Sequence, residues 1–306
     1  MKNKLSRFGP ILVGLGVALV GFVGVGVTSH PVPDESDFSV TLEEVRRFAA
    51  ATPEALPREV RSLKVGIGKA PRHVIRGGSS FRIQALPTYS YQIVYDDRYV
   101  IIDAVNDEET QKEVFPWSDF LPENYERMQE VLRGASKILL THEHFDHAAG
   151  ISRSPYFAEI APRVRMTAEQ LSSPEMEASK FTRAHQNALA PVTYDRMHAP
   201  APGVVLIKAP GHTPGTQMIF VRLQDGNEFL FVGDIAWHMD NIRVPIMHPR
   251  WVSWFLKEDV VAMGHQLRWL HDIHETDNVH IVVAHDGDQM DEYLARGLFH
   301  DGLRGP

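Results

Sequence analysis

Cysteine is missing from all 306 residues of this chain. Its absence excludes disulfides, thiolate nucleophiles, iron–sulfur clusters and every zinc site built on sulfur, so any metal must be held by nitrogen and oxygen. Excess positive charge is missing too: 31 Lys and Arg face 39 Asp and Glu, a formal balance of −8. Such a chain lacks the cations that neutralise phosphates, which argues against a nucleic-acid partner. No internal repeat or low-complexity tract appears beyond one apolar run near the N-terminus. With 43% hydrophobic and 23% charged residues, the remainder is ordinary globular composition, long enough for one large or two modest domains. Histidine is what the chain has in abundance, 16 against 8 Tyr.

Acidic residues are absent before Asp34, where Lys2, Lys4 and Arg7 precede an uncharged apolar run from Ile11 to Val27. Its 17 residues fall slightly short of the roughly 20 that cross a bilayer, and flanking Phe8, Gly9, Thr28 and Ser29 can extend it. Residues 1–29 are therefore expected to form an apolar helix, either a signal anchor or a signal peptide cleaved near Val27-Thr28-Ser29. In both cases the basic flank stays in the cytoplasm. The body is then exported, membrane-anchored outside the cytoplasm or, after cleavage, secreted or periplasmic. Without Lys2, Lys4 and Arg7 its formal charge is −11, and the lack of thiols suits an oxidising compartment.

Residues 30–40, with Pro31, Pro33 and several acids, are expected to be an exposed linker, and the folded unit is expected over 41–306. Thr41-Leu42-Glu43-Glu44 is a capping-box pattern opening a helix to about Ala51. From Leu63 to Ala104 short β-rich runs follow, with a hairpin turn at Asp96-Asp97. Strands are expected at 137–141, 204–208, 217–223, 228–232 and 280–284, and helices at 122–132, 166–189 and 253–274. This mixture favours a single α/β domain of αββα type.

The strand ending at Thr141 runs directly into His142-Glu143-His144-Phe145-Asp146-His147. Side chains of an extended segment alternate, so His142 and His144 point the same way and can reach one metal ion, while Asp146 and His147 can be aimed by a turn at a second. Three later strands also end in a ligand-type residue: His212 in Ala209-Pro210-Gly211-His212-Thr213-Pro214-Gly215, Asp234 after Gly233, and His285 before Asp286. Together they supply His142, His144 and His212 for one ion, Asp146, His147 and His285 for the other, and Asp234 as a bridge. Such a nitrogen and oxygen set suits two zinc ions, with manganese or iron as substitutes.

These motifs resemble the metallo-β-lactamase superfamily over about Leu86 to Asp288, through the HxHxDH loop, the GHTPG turn, the strand-end Asp and the late His. The resemblance implies an αββα sandwich with two metals at one edge of its facing sheets. It is most similar to the N-acyl homoserine lactonase-like branch, with a β-rich portion before HxHxDH and only 21 residues after His285. Lactonases of that branch carry Tyr where this chain has Trp237, and an indole donates one hydrogen bond but is no phenol. Trp237 and His238 are therefore the candidate substrate-binding residues.

The resulting expectation is hydrolysis of a small-molecule carboxylic ester or lactone by water shared between two ions, with Asp146 moving the proton to the leaving oxygen. A thioesterase or glyoxalase II-like hydrolase is the alternative, then a phosphodiesterase, and outside enzymes a membrane-tethered inactive binding domain. Trp251, Trp254, Phe255 and Met247 either line an acyl pocket or pack a core, and Asp286 either supports His285 or closes a turn. The other histidines, His248 among them, are assigned no ligand role.

Overall fold

The computed structural model describes residues 26–52 and 54–305. The expected helix over 1–29 therefore lies almost wholly outside the described residues, and no helix among those described is long and apolar enough to cross a membrane. Two sheets face each other. The first contains β1 (Glu59–Pro71), β2 (Ile83–Val94), β3 (Tyr99–Ile102), β4 (Asp119–Phe120), β5 (Lys137–Leu139), β6 (Val164–Arg165) and β12 (His300–Asp301), in the order β12-β1-β2-β3-β5-β6 with β4 paired to β1. The second is β11-β10-β9-β8-β7, built from β7 (Met197–Ala201), β8 (Val204–Lys208), β9 (Gln217–Arg222), β10 (Glu228–Phe231) and β11 (His280–Val282).

Strand alternation divides the apolar residues among three layers. Val100, Ile102, Leu139, Leu206, Ile219, Phe229 and Phe231 fill the space between the sheets. Their neighbours Ile101 and Ile138 turn outward beneath the helices Pro122–Gly134 and Phe145–Ser152. On the other side Val205, Ile207, Phe220 and Leu230 meet the helices Leu42–Ala49 and Val260–Thr276. Both faces of these strands are buried, so they read as near-continuous apolar runs, and the αββα expectation holds.

Several boundaries differ from expectation. The β-rich stretch is one long hairpin rather than short runs, paired from Glu59↔Val94 to Pro71↔Ile83 with a register shift between Lys64 and Gly66. The helix expected over 166–189 is three short helices, because Pro174 interrupts the first and Lys180 takes a left-handed φ of 60° before the last. The helix expected over 253–274 is two, Arg250–Leu256 and Val260–Thr276, broken at Lys257 (φ 58°) and restarted by the Asp259 N-cap. Residues 30–40 are no exposed linker: Val32 and Phe38 pack on the core, the Phe38 ring lies 5.2 Å from that of Trp269, and Ser36 Oγ donates to His265 O. The capping box at Thr41 forms as expected, with both reciprocal bonds present.

Candidate metal centre

β3, β5, β8, β10 and β11 all end at one edge of the sandwich, since β3 pairs parallel to β5, β10 pairs parallel to β11, and β8 and β10 flank β9 antiparallel. Each strand end delivers a polar residue there. Ligand atoms of His142, His144, His212 and Asp234 lie within 4.8 Å of one another, as do those of Asp146, His147 and His285. The structure thus brings all seven expected ligands together. Asp234 lies between the groups: Oδ2 is 3.8 Å from His142 Nε2 and 3.4 Å from His212 Nε2, while Oδ1 is 3.2 Å from both His147 Nε2 and His285 Nε2. Each carboxylate oxygen therefore serves one group, the geometry a bridge requires.

The outward ring nitrogens are tied down. His212 Nδ1 is 2.8 Å from Glu258 Oε1, His147 Nδ1 is 2.8 Å from Asp103 Oδ2, and His285 Nδ1 is 3.0 Å from Pro87 O. These acceptors hold a proton on Nδ1 and leave Nε2 as the atom that faces inward. His147 Nε2 and Asp234 Oδ1 are buried with no hydrogen-bond partner, and the His212 Nε2 and His144 Nδ1 nitrogens approach to 2.9 Å. Converging lone pairs and an orphaned carboxylate oxygen are costly unless a cation lies among them, so the residues fit a pair of metal ions.

Burial pushes the His142 imidazole well below its ordinary range and His144 to about 3, favouring the neutral form that donates a lone pair. Burial opposes ionisation of Asp234, but His285, His147 and His142 outweigh it and hold the carboxyl well below the usual range. His147 and His212 are also disfavoured as cations by burial. Here the carboxylates win: Asp103 and Asp234 raise His147, and Asp234 and Glu258 raise His212 to about 10, so without a cation these rings also hold a proton on Nε2, which a bound metal would displace.

Local sequence explains the loop's shape. Glu143, between the two histidines, points away as alternation requires, accepting from Thr213 Oγ1 at 2.8 Å and Gly215 N at 3.2 Å. It joins the histidine loop to the GHTPG turn. A Cβ on Gly215 would stand 2.6 Å from Glu143 Oε2 and 2.8 Å from the Gln170 Cα, a backbone atom that cannot swing aside, so glycine is required there. Gly233 turns β10 toward the site at φ 54°.

Over the two groups opens a cavity of about 540 Å³, lined by His144, Asp146, Asp234 and His285 at its floor and by Val114, Phe115, Phe145, Trp237, Trp251 and Phe255 on its walls. Trp237 borders it with a buried Nε1 that has no partner. His238 does not. It lines a separate cavity with Arg72 and Asp286, and its Nδ1 accepts from Asp240 N, because the turn after Trp237 sends successive side chains to opposite sides. Asp286 closes a turn, capping the helix Gly287–Ala295 and accepting from Met239 N. Met247 is buried in the core and Trp254 points outward.

Three functional residues escaped the motif reading. Asp103 stands at a strand end like the other ligands, a signal that could have found it; its φ is 59° and it also accepts from Thr141 N and Oγ1. Glu258 and His248 carry no local signal. The helix break at Lys257 turns Glu258 fully inside against His212, with His248 Nε2 3.9 Å away. Burial alone would raise the Glu258 carboxyl; His248 and His212 hold it down at about 2.

A family model described as the metallo-beta-lactamase superfamily matches residues 83–278. The chain belongs to that superfamily. An N-acyl homoserine lactonase of Bacillus sp is 24% identical over 171 residues, 51% of this chain and just under two thirds of that relative, at 66%. An N-acyl homoserine lactone hydrolase solved with N-hexanoyl-L-homoserine at its catalytic metal centre superposes with a TM-score of 0.61 at 15% identity, covering 78% of this chain and 96% of that one. A dizinc quorum-quenching lactonase, also with its product bound, gives 0.50 at 14% identity over 76% and 89%.

Proposed function

We propose that this metallo-beta-lactamase superfamily member is a dizinc hydrolase that opens the ester bond of a lactone or a related small carboxylic ester. One observation carries the reading: two groups of imidazole nitrogens share Asp234, one carboxylate oxygen each, beneath an apolar cavity. His142, His144 and His212 would hold one zinc, Asp146, His147 and His285 the other, with Asp234 between them. Bound there, the ions supply Lewis acidity and lower the pKa of shared water toward about 7. Asp146, whose Oδ2 is 3.6 Å from His285 Nε2 and which borders the cavity, would carry a proton to the leaving oxygen. Trp237 offers the substrate carbonyl its unpaired Nε1–H, in the place where the lactonase branch has a phenol. The walls of Val114, Phe115, Trp251 and Phe255 suit an acyl chain. Lactonase relatives among the similar proteins support the bond type.

We further read Ile11–Val27 behind Lys2, Lys4 and Arg7 as an export segment or anchor that places the catalytic domain outside the cytoplasm. The decisive experiment measures metal content and hydrolysis of lactones, thioesters, aryl esters and phosphodiesters by the purified chain and its Asp234→Ala variant. Lactone or ester turnover that the substitution abolishes is expected. Preference for phosphodiesters, or full activity in a metal-free variant, refutes the reading.

A further inference from the structure

The helix Arg250–Leu256 is oriented against the rule for a helix in water. It buries Val252 and Ser253 and turns Trp251, Trp254 and Phe255 outward, with Trp254 81% and Phe255 69% exposed. Those three occupy positions i, i+3 and i+4, one continuous face. Val114 on the cavity wall and Trp117, two residues beyond the lining Phe115, are also exposed, the latter at 85%. These five are half of the ten large apolar side chains left exposed among the described residues, so the apolar surface is concentrated at the mouth rather than scattered. Trp251, Phe255 and Val114 line the cavity as well, making the outer patch continuous with the acyl-chain walls.

What covers this patch is indicated by where the apolar run enters the fold. Its last residues, Gly26 and Val27, lead into Thr28, whose carbonyl accepts from Arg250 N at 2.8 Å, and into Ser29, which bridges to Pro249 and donates to Met247 O at 2.6 Å. The run is thus pinned to the first turn of the helix that carries the outward aromatics. A segment embedded in a bilayer and attached at that point brings this helix to the membrane surface, where tryptophan and phenylalanine partition favourably and Lys257, at the helix end, meets the headgroups.

We propose that the Trp251, Trp254 and Phe255 face, together with Trp117 beside the lining Phe115, seats the cavity mouth on a lipid bilayer, so that the substrate is a long-chain acyl lactone or ester drawn from the membrane. The proposal rests on the anchor and ester-hydrolase readings above. Its test uses the full chain reconstituted in vesicles of ordinary or bromine-labelled phosphatidylcholine. Bromolipid is expected to quench tryptophan fluorescence. Trp254→Phe should remove about a third of that quenching, because Trp117, Trp251 and Trp254 are the rim indoles while Trp237 sits in the cavity and Trp269 in the core. Equal fluorescence in the two kinds of vesicle, or quenching that Trp254→Phe leaves unchanged, overturns the proposal even if the chain stays anchored. A Trp117→Glu, Trp254→Glu double variant should lose about tenfold in turnover of a vesicle-borne long-chain lactone while its turnover of a soluble short-chain lactone is retained. Parallel loss or retention on both lactones also overturns it. Turnover of neither lactone by the wild type refutes the ester-hydrolase reading, and the quenching then decides the seating alone.

Discussion

Replacing Asp103 with Asn isolates one charge in the centre. Asp103 sits in the left-handed region, φ 59°, a conformation Asn tolerates as well as Asp, so the backbone is unstrained by the change. In the native structure Oδ1 accepts from Thr141 N at 2.7 Å, and Oδ2 accepts from Thr141 Oγ1 at 2.8 Å and faces His147 Nδ1 at 2.8 Å. An Asn can keep the first bond through its carbonyl, and its amide then presents N–H to two other donors. His147 relieves the clash by moving its proton to Nε2, the atom that faces Asp234 and the second metal position. Loss of an orienting partner of this kind costs about 10–100-fold in metal affinity, or about 1.4–2.8 kcal/mol at about 1.4 kcal/mol per tenfold. Hydrogen bonds to a charged group contribute about 1.5–3 kcal/mol each, so the apo protein should also melt lower. Zinc titration against a chromophoric chelator reads the second binding step directly. A variant that folds and binds its second zinc as tightly as the wild type refutes the claim that Asp103 sets the His147 tautomer.

Gly215→Ala should lose metal and activity together, since its Cβ meets Gln170, backbone included, as well as the Glu143 carboxylate, and so pushes the turn that carries His212 away from the loop that carries His144; zinc content and circular dichroism of the purified variant check this. Trp237→Phe removes an unpaired buried N–H but also part of a ring packed on Ile75 and Leu86 and beside His248, so the free protein should lose about 1 kcal/mol while lactone turnover falls by more than about tenfold, further than that loss of stability corresponds to; a loss of turnover no larger than the loss of stability would count against a substrate role. Stripping the metals with a chelator should lower stability by about 2.7 kcal/mol for each ion, about 5.4 kcal/mol for the pair, relative to protein held at a hundredfold excess over Kd, because the converging ligands lose their cations; an unchanged melting temperature would contradict the fit.

Most of the ligand set was legible in the sequence because strand ends announce it. His142 and His144 share a side by alternation, and His212, Asp234 and His285 each follow an apolar run of strand length. Asp103 obeys the same rule but stands alone, with no neighbouring histidine to draw attention to it. Glu258 had no such signal: a continuous helix was expected through it, and only the left-handed Lys257 reverses its direction. His238 shows the converse, a residue four positions from Asp234 that the local turn sends to a different cavity. Residues 30–40 read as linker from their prolines and acids, whereas Val32, Phe38 and Val40 find a groove along Val260–Thr276 that composition does not reveal.

The amino-acid order by itself determined the sulfur-free donor chemistry, the strand alternation and the candidate ligands, since those depend on residue type and on spacings of a few residues. Tertiary structure decided which ring nitrogen faces inward, because the acceptors that set each tautomer lie 44 residues from His147, 46 from His212 and 198 from His285. It also decided that Trp251, Trp254 and Phe255 face outward around a cavity mouth instead of filling a core. The outward face of a helix depends on which neighbours the fold sets against its other side, and here the buried side belongs to Val252 and Ser253.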